Sequence, residues 1–221
     1  MSLAKANGAG VVKAVIALPR VGAWHADLEI DSEDASKFEK AVELTVGDGA
    51  LSFKGTAFRG GVYGGRVVVR VVGGAGGLGK ELEPKAYRQI PAKIPLTDIL
   101  EGAGEKLAGT SDSGVLGTEL PFWSRPKSIA GIALTNLLAA LEVTWRVLTD
   151  GTLWVGSETW PAAKVKNPHV THQAPDDGRV DLGSDLPSLL PGTTFLDRKV
   201  SRVVHHLDPK DVHTEAWFER G

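Results

Sequence analysis

Five of the six histidines fall where they could reach a metal ion or a proton: His169-x-x-His172, the doublet His205-His206, and His213. If Leu207 pairs with Val212 in a hairpin, His206 faces His213 across the ladder, close enough for shared coordination. Neither lies in an H-E-x-x-H context, and facing histidines on strands are usually solvated or structural. The sequence therefore points to no metal and no cofactor, with His206 and His213 as the candidate pair. Glycoside hydrolysis would need two carboxylates across a cleft. Glu105, Asp150, Glu158, Asp176 and Asp177 supply the residue type, but no spacing sets any two of them opposite one another. Asp150-Gly151 and Asp176-Asp177-Gly178 already serve as turns. No G-x-S-x-G elbow and no serine–histidine arrangement of recognisable spacing occurs. Gly74, Gly76 and Gly79 form a G-x-G-x-x-G after a strand, yet Pro84, Pro91 and Pro95 interrupt the helix that a dinucleotide site needs, and Ile99 stands where an acidic residue belongs. The stretch reads as a flexible domain exit. No catalytic residue is assigned.

Aromatic stacking is the remaining chemistry. Trp145, Trp154 and Trp160 fall within "WRVLTDGTLWVGSETWP" and could carry a sugar or a nucleobase. Asp150-Gly151 predicts a two-residue turn with both residues at positive φ. That register pairs Thr149 with Thr152, Val147 with Trp154, and Trp145 with Gly156. Trp145 would then cover the glycine, and Trp154 would share its face with Trp145 and Val147. With the aliphatic "IALTNLLAAL" just before the hairpin, core burial outweighs a ligand platform, since each ring removes roughly 150–250 Å² from water. Trp160, beside Pro161, remains a possible contact residue.

The elements that would position these groups are mostly strands. "AWHADLEID", "AVELTV" and "ALSFKGTAF" alternate apolar and polar residues, with a turn at Gly47-Asp48-Gly49, and "RVVVRVV" suits a central strand. Short strands between glycine turns suggest a small antiparallel barrel or sandwich. From about residue 85 the texture becomes helical. "PLTDILEGAGEKLA" aligns Leu96, Ile99, Leu100, Ala103 and Leu107, with Thr97 as N-cap, and "SIAGIALTNLLAALEV" presents Ile132, Leu137, Leu138 and Leu141. The link between them reads as a loop. Residues 162–190 are rich in turn formers and look mobile. "TTFLDRKVSRVVHHL" and "VHTEAWFE", joined at Asp208-Pro209, make a terminal hairpin. The fold class is mainly β with a small α insertion. Residues 1–18 read as a flexible N-terminal arm, 19–83 as a first β-barrel, 84–142 as a linker and two-helix insertion, and 143–221 as the hairpin and a second β-barrel.

Bulk properties narrow the function classes. With 221 residues the chain can bury a sizeable core, and a formal net charge of −2 argues against a nucleic-acid partner. No apolar run reaches the roughly 18 residues of a membrane-spanning helix. The absence of cysteine excludes disulfides and thiolate chemistry.

Four colinear stretches carry a family resemblance: "GRVVVRVVGGAGGL", "YRQIPAKIPLTDILEGAGEKL", "ALTNLLAALEVTWRVLTDGTLWVGSETWP" and "LLPGTTFLDRKVSRVVHHLDPKDVHTEAWFE". In this order they resemble the baseplate hub proteins of contractile phage tails, the late-control or tail proteins of Mu and P2 type, and the N-terminal part of secretion-system spike proteins. The resemblance implies two similar antiparallel barrels joined by a helical element. It also implies a homotrimeric ring, a virion location in the tail baseplate, and assembly in the host bacterial cytoplasm. The implied partners are the tail tube protein and the central spike protein, with no enzyme activity and no direct membrane insertion. The chain is shorter than many hubs, and no needle repeat or lysozyme-like domain is recognisable. Two rival readings are a tail-associated cell-wall hydrolase and a carbohydrate-binding module for host attachment.

Overall fold

The structure, a computed structural model, describes residues 4–47, 51–165 and 167–219. The expected turn at Asp48-Gly49 therefore lies outside the described residues. Six strands come first: β1 (Ala4–Ala6), β2 (Ala9–Pro19), β3 (His25–Ile30), β4 (Ala41–Val46), β5 (Leu51–Tyr63) and β6 (Arg66–Gly73). The middle of the chain holds β7 (Glu81–Leu82), β8 (Lys85–Pro91), α1 (Lys93–Ala103), α2 (Ser113–Gly117), β9 (Glu119–Arg125), β10 (Ser128–Ile129) and α3 (Ala130–Ala140). The tryptophan hairpin is β11 (Thr144–Val147) and β12 (Leu153–Gly156). The last strands are β13 (Val170–Ala174), β14 (Arg179–Leu182), β15 (Thr194–Phe195), β16 (Arg198–Asp208) and β17 (Asp211–Phe218). The molecule is mainly β.

The first six strands pair in the order β1-β4-β5-β6-β3-β2, and β2 returns to β1, closing an antiparallel barrel. Alternation does this work: in β3 and β4, Ala26, Leu28, Ile30, Val42, Leu44 and Val46 point inward, as the period of two demands. Trp24 and Phe53 meet edge-on inside, with ring centroids 5.4 Å apart. Gly55 and Gly73 make room for that indole, because a Cβ at either would lie within 3 Å of Trp24.

The barrel does not stand apart from the rest. The second half of β2, Ala14–Pro19, pairs with β16, and the sheet continues through β17 and β14 to β13. One apolar core runs through both regions, from Leu28 and Phe53 to Val203, Leu207 and Ala216. This corrects the expected flexible arm at 1–18: β2 pairs β3 on one side and β16 on the other, with Ile16 and Leu18 buried. The eleven residues of β2 form a strand flanked on both sides, and Val11–Leu18 supply most of it. Residues 162–190, expected to be loose, include the β13–β14 hairpin, whose loop is the Asp176-Asp177-Gly178 turn with Gly178 at φ +67°.

The insertion has a core of its own, built from α1, α3 and the inner face of the tryptophan hairpin. Helix α1 starts before the expected Thr97 cap, because Pro95 in the first turn needs no hydrogen bond there. It stops at Gly104, which takes φ +80° and donates to Glu101 O, so Leu107 lies beyond the helix. In α3 the inward stripe is Ala130, Ala133, Leu134, Leu137 and Leu138, whereas Ile132 is exposed. The segment expected as a loop carries α2 and β9, and β9 pairs with β8. The insertion thus has three helices, two of them long, and a hairpin.

Candidate functional site

The tryptophan hairpin has a different register from the one Asp150-Gly151 suggested. Trp145 faces Val155, Arg146 faces Trp154, and Val147 faces Leu153. The loop is three residues long: Gly151 N donates to Leu148 O and Leu148 N donates to Thr152 O. Of the Asp-Gly pair only Gly151 adopts positive φ, giving a type I turn with a glycine bulge in place of the mirror-image turn. Asp150 spans the loop by accepting from Thr152 N and Oγ1. This one-residue change puts the two tryptophans on opposite faces. Trp145 is buried in the insertion core with its Nε1 directed at Thr135 Oγ1. Trp154 lies on the outer face, with the Arg146 guanidinium 4.3 Å from its ring, and it is Trp154 that covers Gly156.

A cavity of about 420 Å³ opens between this hairpin, the end of β2 and the 190–193 loop. Trp154, Asp150 and Glu158 all line it. Glu158 is buried and paired with Arg146, and Gly192 packs against that ion pair with no space for a side chain. Trp160 lies in a neighbouring groove between two cations, Lys199 at 4.9 Å and Arg20 at 5.8 Å from its ring. Of the other carboxylates, Glu105 is buried and accepts from Ala75 N and Gly77 N, both at 2.9 Å. The glycine-rich stretch is therefore an anion-binding loop whose anion is Glu105 of the same chain, which corrects the expected flexible exit. A Cβ at Gly77 would lie 1.7 Å from Ala103 O.

Tyr87 donates to Asp98 Oδ2 at 2.6 Å, and Lys85 and Arg125 contact the same carboxylate. Burial opposes ionisation of Asp98, but hydrogen bonds from Lys85 and Tyr87 outweigh it and hold the carboxyl below its usual range. Burial and the same bond push the Tyr87 hydroxyl well up. This cluster ties the β8–β9 hairpin to α1.

The histidines are divided among different environments. His206 and His213 face each other as expected, their rings stacked at 4.2 Å. His205 points to the opposite side, buried, with Nδ1 3.0 Å from Thr214 Oγ1 and 2.9 Å from Asp185 Oδ1. His172 lies in β13 opposite Asp181, and His169 packs over Gly183. Sequence reasoning missed Glu215, two residues after His213 and so on the same face, and the burial of His205.

Neither a family model nor a curated protein matches the sequence. Solved structures do match. The 43 kDa tail protein of prophage MuSo2 from Shewanella oneidensis aligns at a TM-score of 0.72 with 11% identity, over 98% of this chain and 97% of that one. The tail protein from Neisseria meningitidis MC58 aligns at 0.65 with 12% identity, over 99% and 96%. The chain has a phage tail protein fold. A type VI secretion component from E. coli, described as structurally similar to the T4 bacteriophage tail proteins gp27 and gp5, aligns at 0.70 with 10% identity, over 99% of this chain and 79% of that one.

On this tail-protein fold, exposed large apolar side chains of the described residues cluster in two places, besides the isolated Val21 and Leu196. Phe58, at the bulge between Ala57 and Arg59, and Val62, Tyr63 and Val68 beyond it lie on the β5–β6 ribbon, and Tyr63 is 83% exposed. Ile94, Phe122, Ile129 and Ile132 are exposed on the insertion. Among the described residues no helix is long and apolar enough to cross a membrane.

Proposed function

We propose that the chain is a structural subunit of a phage tail or of a tail-derived particle, acting as a baseplate hub. In this reading three copies form a ring that adapts the tail tube to the central spike, and the protein resides in the virion after assembly in the host cytoplasm. The observation that carries it is the near full-length match to two tail proteins, joined by a match to a secretion component described as structurally similar to tail proteins. The exposed apolar β5–β6 ribbon and the sheet edge at β13 fit a chain that meets neighbours, because unpaired edges and apolar patches otherwise promote aggregation. The domain division that goes with this reading is a barrel, an insertion and a second β unit.

The test is co-expression with tube and spike proteins of tails of this type, followed by native mass measurement and electron microscopy. Threefold rings bound to tube or spike are expected. A strictly monomeric protein at high concentration that captures neither would overturn the reading.

The cavity beside Trp154 supports a second reading, a host-glycan site, since an aromatic face and two carboxylates converge there. Arg146 occupies both the Trp154 face and Glu158, so the hub reading is preferred. A glycan titration that quenches tryptophan fluorescence would favour the second.

A further inference from the structure

The outer face of the β16–β17 hairpin carries the donor set of a metal site. The two-residue loop Pro209-Lys210 sets Asp208 opposite Asp211, which places His206 opposite His213 and Val204 opposite Glu215. Asp208 caps the loop by accepting from Lys210 N at 3.0 Å, so the register is anchored two pairs from the histidines. One ligand atom each from His206, His213 and Glu215 lies within 4.8 Å of the others. We propose that these three residues bind a divalent transition metal, zinc by preference, with a fourth position open to water.

The local contacts favour this occupant. Asp211 Oδ1 lies 3.1 Å from His213 Nδ1, the outer-sphere carboxylate contact that fixes a tautomer and leaves Nε2 to bind metal. His206 Nε2 is inaccessible and makes no hydrogen bond, although Glu215 Oε1 is 3.4 Å away. Trp217 Nε1 donates to the other Glu215 oxygen at 3.3 Å and orients the carboxylate. The competing cation is Arg179, 4.0 Å from Glu215 Oε1, but Asp181 engages it more closely through Nε at 3.0 Å and a second guanidinium nitrogen at 3.2 Å.

Two imidazoles and one carboxylate suit a borderline ion rather than calcium or magnesium, which take oxygen ligands. Tetrahedral bonding at about 2.0–2.2 Å needs ligand atoms roughly 3.3 Å apart. Side-chain rotation can close the gap from 4.8 Å, because all three side chains keep about a fifth to a quarter of their surface exposed. That opening also admits water to the fourth position. The bound ion would cross-link β16 to β17 near the end of the second β unit.

The experiment uses the full-length, untagged protein, stripped with a chelator and titrated with zinc chloride by calorimetry. One zinc per chain is expected, and cobalt(II) in its place should give the visible bands of a four- or five-coordinate ion. His213→Ala and Glu215→Gln should each weaken zinc at least about tenfold. Zinc should raise the unfolding temperature of the parent protein but not of a His206→Ala/His213→Ala double variant. Glu215→Gln keeps the shape of the side chain, so it decides the matter if the histidine variants lose their circular dichroism. Absence of binding with zinc in excess, unchanged affinity in Glu215→Gln, or stoichiometric zinc in a folded double variant would each overturn the proposal.

Discussion

Glu105 shows how a residue type can be legible while its role is not. In the sequence it is one of five carboxylates available for acid–base chemistry. In the fold it is consumed by two backbone N–H groups about thirty residues earlier in the chain, and sequence spacing cannot reveal such a pairing. Removing a buried charged acceptor leaves both donors unsatisfied, so Glu105→Ala is expected to cost about 1.5–3 kcal/mol in chemical denaturation. A loss below about 0.5 kcal/mol would show that the loop holds itself. His25 and His206 are perturbed in the same direction. Burial is the leading cause in both, followed by Arg70 for His25 and by His213 for His206, and both folded pKa values lie below the free value. The unfolded chain therefore binds these protons more readily. Their stabilisation is complete above the free histidine pKa of about 6.5, and is lost as the pH falls from there through the lower folded values. Unfolding free energies measured from pH 7.5 to 5 should decline in parent protein and decline less in a His25→Gln/His206→Gln variant.

At the level of elements, alternation and turn chemistry made β3 to β6, β11, β12, β16 and β17 readable, because each depends only on neighbours in sequence. The β16–β17 hairpin was legible down to its His206–His213 pair, since Pro209 permits few loop geometries. The tryptophan hairpin was not, because Asp-Gly serves both the two-residue turn and the three-residue loop with a glycine bulge. Tertiary contacts decide between them: Lys54 N donates to Thr149 O, and Trp24 Nε1 donates to Leu148 O, so the barrel grips the loop directly. Strand β2 was misread for a related reason, since its partner β16 is some 190 residues away. The loop assignment is testable. Gly151 has φ +84°, and a Cβ there would lie 2.9 Å from Lys54 O, so Gly151→Ala should cost about 1–3 kcal/mol. Gly109, with open space around it, is the control, and Gly109→Ala should change stability by no more than about 0.5 kcal/mol. Equal effects at the two positions would refute the bulged loop.

For the whole molecule, the consequential feature is that the barrel and the second β unit share a strand. Ile16 pairs with Ala26 on the barrel side and with His205 on the other, and it is fully buried. Independent domains would be joined by a linker that few contacts cross; here a hydrogen-bonded strand and a common core cross instead. The insertion differs, since its apolar cluster is separate and reaches the barrel through the tryptophan hairpin. The two β units should therefore unfold together, while the insertion can open at lower free energy. Hydrogen exchange resolves this: amides of β3 and β17 should report the same opening free energy, and those of α3 an equal or smaller one. Ile16→Ala, expected to cost about 2–5 kcal/mol, should lower protection in β3 and β17 alike. Leu137→Ala, inside the insertion core, should act first on α1, α3 and β12. If Ile16→Ala released β16 and β17 while leaving barrel protection intact, the units would be thermodynamically separate despite their common sheet. The chain would then have to be described as two domains with a movable junction instead of one rigid body.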